Sequence, residues 1–131
     1  MDTTRLNEVW DQIYDQVGED LRVVVQYEAT STESIFRDDV KEKYDQKERQ
    51  HIIDDTIVQQ LNITDQEEEF HAGELESLVR VFESAWVLTW RKPSDIKAGF
   101  LISIQRDGYV ATMSDLEYCI QYLNKEIKPR L

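Results

Sequence analysis

The chain has 131 residues, a length that fits one domain able to bury a core of its own. It carries 27 acidic against 15 basic residues, a formal charge of −12. Such a surface repels nucleic-acid phosphates and anionic lipids. Two small basic clusters, Arg91–Lys92 with Lys97, and Lys125 and Lys128 with Arg130, do not reverse that balance. Neither nucleic acid nor a membrane is therefore an expected partner.

Apolar residues make up 40% of the chain and are spread along it, which argues against disorder. A single cysteine, Cys119, rules out an intrachain disulfide. Met1-Asp2-Thr3-Thr4 lacks the basic and apolar regions of an export signal. No apolar run approaches the roughly 20 residues that span a bilayer. A cytoplasmic location is expected. The acidity fits either an ordinary acidic domain or a salt-rich cytoplasm. At molar salt the Debye length falls to about 3 Å, so repulsion among like surface charges is largely screened.

Leu6, Trp10, Ile13 and Val17 recur at helical spacing, so residues 4–17 read as a helix, with Thr4 as its cap and Gly18 as its stop. Residues 21–27 alternate as a strand, and 32–37 read as a short, polar edge strand. Asp38-Asp39 opens a helical stretch. Asp45 with Glu48 resembles a second cap, and the helix continues through Ile52, Ile53, Ile57 and Leu61. Residues 62–69, NITDQEEE, read as an acidic and mobile connection. Three strands follow, at 75–82, 85–91 and 97–105, separated by a tight turn at Glu83-Ser84 and a loop at Lys92-Pro93-Ser94-Asp95. These strands are apolar on both faces, so both faces should be covered. Asp107-Gly108 is a turn signal. Ser114-Asp115-Leu116-Glu117 has the form of a capping box for a last helix that buries Leu116, Cys119, Ile120, Leu123 and Ile127 and stops at Pro129.

The expected structure is a single α+β domain over residues 1–131. Its order, helix–strand–strand–helix–three strands–helix, resembles the Roadblock fold, a relative of longin and profilin domains. That resemblance implies a five-stranded antiparallel sheet with the central helix on one face and the terminal helices on the other. It also implies that the strand after the central helix lies at an edge and can pair across a dimer. At the residue level, LRVVVQYE, FRDDVKEKY and FHAGELESLVRVFESAWVL are similar to a family of small haloarchaeal proteins of unassigned function. This likeness supports the salt-rich setting and implies no activity.

No segment has a catalytic, metal-binding or nucleotide-binding signature. His71 and Glu74, beside Gly73, are the only candidates for proton or metal chemistry, but no second histidine or cysteine stands at ligand spacing. A turn into the following strand explains them more simply. Glu67-Glu68-Glu69 reads as a solvated run, and Arg37-Asp38-Asp39 as a strand end followed by a helix cap. Trp86, Trp90 and Phe100 could line a ligand pocket, but core under a covering helix is the simpler assignment.

The sequence therefore points to a non-catalytic interaction or regulatory module, without cofactor or metal, acting as a homodimer. A small-ligand sensor with a PAS-like pocket is the alternative, and an enzyme the weakest reading. The expected interface is the strand at 75–82. There Glu76 and Arg80 would form reciprocal salt bridges about Leu78, and burial of Leu78 and Phe82 would supply the drive.

Overall fold

The structure is a computed structural model that describes residues 3–93 and 95–131. Its helices are α1 (Thr3–Val17), α2 (Asp38–Lys41), α3 (Gln46–Gln60), α4 (Ile63–Phe70) and α5 (Met113–Tyr122). Its strands are β1 (Leu21–Tyr27), β2 (Thr32–Phe36), β3 (Ser77–Val81), β4 (Ala85–Lys92) and β5 (Asp95–Gln105). The strands form one five-stranded sheet in the order β2-β1-β5-β4-β3, and every pairing is antiparallel. The expected α+β architecture is present, with the short polar strand β2 at one edge and β3 at the other.

One face of the sheet is covered by both ends of the chain. Leu6, Val9, Ile13 and Val17 of α1 pack with Leu116, Cys119 and Tyr122 of α5 over Val24, Leu88, Trp90, Phe100, Ile102 and Ile104. Beyond α5 the chain continues as a π-helical turn, Leu123–Ile127, which buries its two terminal residues in the same core. Each fully buried aliphatic side chain here contributes about 1.5–3 kcal/mol. Trp90 and Phe100 are cross-strand partners with ring centroids 6.2 Å apart, and the Trp90 indole N–H donates to Asn124 Oδ1 at 2.9 Å. They are core. Gly18, at φ 60, ends α1 in the left-handed region that glycine adopts without strain. Helix α1 begins at Thr3, so Thr4 lies in its first turn rather than at its cap. Met1 and Asp2 lie outside the described residues.

The opposite face is less apolar. Helix α3 starts at an Asp45–Glu48 capping box, with the Asp45 carboxylate accepting the Glu48 N–H at 2.7 Å. The buried residues of α3 are Ile53, Thr56 and Gln60. Ile52 and Leu61, two of the apolar residues in this stretch, are exposed, as is Val58. Two polar groups on its inner side have hydrogen-bond partners. Gln60 Nε2 donates to the Tyr27 hydroxyl at 2.6 Å, and Thr56 Oγ1 donates to the Ile52 carbonyl at 2.8 Å. Against these lie Val23, Val25, Tyr27 and Leu101, together with Val40 of α2.

Three local expectations are corrected. The acidic connection read at 62–69 is mostly helical, as α4 (Ile63–Phe70). Ile63 is buried, the Arg91 guanidinium lies 3.6 Å from Glu67 Oε2, and the same oxygen accepts the Leu75 N–H at 2.8 Å. The last helix is capped at Thr112, not Ser114. Asp115, three residues on, accepts the Thr112 N–H at 2.8 Å, whereas Ser114 Oγ lies 2.8 Å from Thr112 Oγ1. Of the loop Lys92–Asp95, Lys92 and Asp95 are paired strand residues, and Ser94 lies outside the described residues.

Candidate functional site

Strand β3 hydrogen-bonds to β4 on one side, and among the described residues no strand pairs with its other side. Its register sets what it presents. Val79 lies opposite Leu88, and Val81 opposite Trp86, so both point to the α1/α5 side of the sheet. There α1 and α5 leave the outermost strand uncovered. Val81 is 50% exposed, and Phe82, just past the strand, is 52% exposed. Leu78 lies opposite Thr89, and Arg80 opposite Val87. Both face the α3 side, and both are half-buried. Leu78 borders a small recess with Gln60 and Ile63.

The expected interface residues thus fall in different settings. Glu76 precedes the strand, and its carboxylate already accepts the Asn124 side-chain N–H at 2.8 Å. Asn124 in turn holds Trp90, so Glu76 is part of the tie between β3 and the C-terminal helix. Arg80 forms no ion pair among the described residues. Phe82 closes the β3–β4 turn through its N–H, which donates to the Ala85 carbonyl at 2.8 Å. The exposed apolar area missed from the sequence is that of Val79 and Val81. The alternation of the strand gave their shared face, but not which face the terminal helices leave bare.

The other candidates separate. His71 is the C-terminal residue that ends α4, in the left-handed region at φ 51, with its N–H on the Glu67 carbonyl. Gly73 follows at φ 88, so this run is a helix stop and a turn. Glu74 and His71 are exposed. Among the described residues no three His, Cys, Asp or Glu side chains gather as a metal site would require. Arg37 and Asp39 form an ion pair with N···O 2.5 Å, and Arg37 also donates to the Glu19 carbonyl and to Gln105 Oε1. This run joins β2 to the rest of the sheet. Arg91 and Arg130, the arginines of the two basic clusters, are paired with Glu67 and Glu8. Burial pushes the Cys119 thiol up to about 12, so the chain's cysteine stays protonated and unreactive. No described helix is long and apolar enough to cross a membrane.

No curated protein shows significant sequence similarity to the chain. Among solved structures the fold is similar to that of MglC from Myxococcus xanthus, at 13% identity and a TM-score of 0.56, over 96% of this chain and 98% of that one. It is similar to a Roadblock/LC7 domain from Streptomyces avermitilis, at 14% identity and a TM-score of 0.56, over 92% of each chain. These likenesses, both far below the identity that would carry function, show a Roadblock/LC7-type fold. The chain belongs to the family described as Domain of unknown function (DUF7522), whose model matches residues 7–125.

Proposed function

We propose that this protein is a non-catalytic interaction or regulatory module that acts as a homodimer in a salt-rich cytoplasm, pairing through the β3 edge. The observation that carries this reading is the bare outer side of β3, flanked by half-exposed Val81 and Phe82. An edge strand with free backbone groups beside apolar side chains is normally covered. A second copy covers it symmetrically, because two-fold pairing of identical strands repeats each contact. Arg80, with no ion pair among the described residues, would meet its mate across the paired strands on the α3 side and set register rather than drive association. Exposed Val58 on α3 and Leu61 just past its end add apolar area on the opposite side of the sheet. The acidic surface supports the salt-rich setting.

The test is sedimentation at molar KCl. The wild type should be a dimer, and Val81→Lys a folded monomer. Val81 is a better probe than Leu78, which is half-buried against the α3 side and would report on packing as well. A wild type that stays monomeric at high micromolar concentration would refute the dimer.

A further inference from the structure

At the β2–β1 end of the sheet, between its α3-facing side and the α2–α3 segment, lies a cavity of about 120 Å³. Its wall is mostly apolar, with Val25, Phe36, Ile53 and Leu101 among its residues. Two guanidinium groups interrupt that wall.

The first is Arg22. The β1–β5 register slips between Leu21 and Val23, which makes Arg22 an extra residue in β1. Leu21 and Val24 then turn toward the α1/α5 core, and Val23 and Val25 toward α3. Arg22 reaches Ser103 on the α3 side, donating to its hydroxyl at 2.8 Å. The second is Arg49, in the first turns of α3. Its guanidinium carbon stands 4.7 Å over the Phe36 ring, and one terminal nitrogen donates to the Lys41 carbonyl at 3.1 Å. Its Nε is buried and has no hydrogen-bond partner among the described residues.

In a chain with twelve excess negative charges, neither arginine forms an ion pair among the described residues, and no carboxylate lines the cavity. Arg37, Arg91 and Arg130 each have a carboxylate partner. A buried guanidinium N–H with nothing to donate to is costly, and an anion supplied from outside would relieve that cost.

We propose that this cavity binds a small carboxylate with a compact apolar body, its carboxylate on Arg22 and Arg49 and its body against Val25, Ile53 and Leu101. The guanidinium fork suits a carboxylate's two oxygens. The size follows from comparison with a cavity of about 150 Å³, which takes benzene, so this one suits a body of roughly three to five carbons. A bare inorganic anion would leave the apolar wall unused, and a neutral isostere would leave the arginines unused. The site stands at the opposite end of the sheet from β3, so the proposal does not depend on the dimer.

The experiment is a titration of the full chain followed by ¹⁵N–¹H correlation spectra, in a chloride-free buffer of fixed ionic strength. The probe is 2-methylpropanoate, with 2-methylpropanamide, acetate and chloride as controls. Saturable shifts should appear at Val25, Ile53 and Leu101. The amide should bind about tenfold more weakly or worse, since it cannot make the charged hydrogen bonds. Acetate should bind about tenfold more weakly, since it lacks two buried carbons. Arg49→Gln should weaken 2-methylpropanoate by about tenfold. The proposal is overturned if 2-methylpropanoate does not saturate by about 50 mM. It is equally overturned if chloride or the amide matches it, or if a folded Arg49→Gln binds as well as the wild type. Should that variant unfold, the wild-type comparison of acid with amide decides alone.

Discussion

The carboxylate of Asp20 occupies the space into which a side chain on Gly108 would project, so that a methyl group there would overlap it. The two residues are brought together by a loop that folds around the acid. Asp20 is buried, and its carboxylate accepts the backbone N–H groups of Tyr109, Val110 and Ala111, the last two at 2.7 and 2.8 Å. The acid anchors the connection between β5 and α5 to the start of β1. Gly108→Ala should therefore destabilise the fold by about 1–3 kcal/mol, the range for forcing extra atoms into a packed site. Urea unfolding measures it, and an unchanged midpoint would mean the loop relaxes freely.

The same carboxylate gives the fold an acid sensitivity. Burial pushes its pKa up, but the N–H donors of Ala111, Val110 and Tyr109 and the nearby Arg37 charge outweigh burial and hold it below the ordinary value of 3.8. A lowered folded pKa means the contribution is fully present above the unfolded value and is lost as pH falls through the folded one. Asp20→Asn should be less stable than the wild type at neutral pH by a constant margin. That margin should narrow only below about pH 4. Unfolding free energies of both proteins across pH 3–7 check the sign, and a gap that widens with acid would contradict it.

Stability should rise with salt. The charge of −12 is spread over a compact surface, and screening relieves its self-repulsion. Thermal melts followed by circular dichroism from about 0.1 to about 3 M KCl should show a climbing midpoint as the Debye length shrinks. A flat or falling midpoint would remove the salt-rich setting.

The start of α5 should depend on Asp115 and hardly on Ser114. Asp115 holds the Thr112 N–H and accepts from Gln16 of α1 at 3.0 Å, which ties the two helices on that face. Asp115→Ala should cost about 1–2 kcal/mol, the upper part of the range for a lost cap. Ser114→Ala should change stability by less than about 0.5 kcal/mol. The reverse order in urea unfolding would restore Ser114 as the cap.

Helix α4 should be held by Arg91 as well as by its buried Ile63. Arg91 donates to the Leu75 carbonyl at 2.7 Å and pairs with Glu67. Arg91→Met should speed amide hydrogen exchange in residues 63–70 by about tenfold, equivalent to loss of a charged hydrogen bond, while α5 keeps its protection. Equal exchange in the two proteins would show that α4 needs no such anchor.

The legible parts of this fold are those where local pattern and final burial agree. Leu6, Ile13 and Val17 in α1, the alternation Trp86–Leu88–Trp90 in β4, and Leu116, Cys119 and Leu123 at the C-terminus all point inward as their spacing requires. The illegible parts are polar groups whose partners lie far along the chain. Gln60 faces inward, although Leu61 beside it is the better core residue by composition. The partner of Gln60 is Tyr27, 33 residues earlier, and no local rule reveals it. The acidic run at 67–69 reads as solvated because Arg91, which fixes Glu67, is two strands away. The cavity was hidden for the same reason. Arg22 turns toward α3 only because of a bulge in pairing with β5, and the unbonded Nε of Arg49 cannot be read from neighbouring residues.

The main core is roofed by the two ends of the chain, and these ends are stitched together by Arg130 and Glu8, with N···O 2.5 Å. On the ribosome, β4 and β5 are therefore made before the helix that shelters Trp90, Ile102 and Ile104. Until residues 113–127 emerge, α1 alone covers that face, and a broad apolar surface stays open to solvent or to a neighbouring nascent chain. The growing chain therefore passes through a stage in which its main core is only half roofed, and residues 113–127 close it.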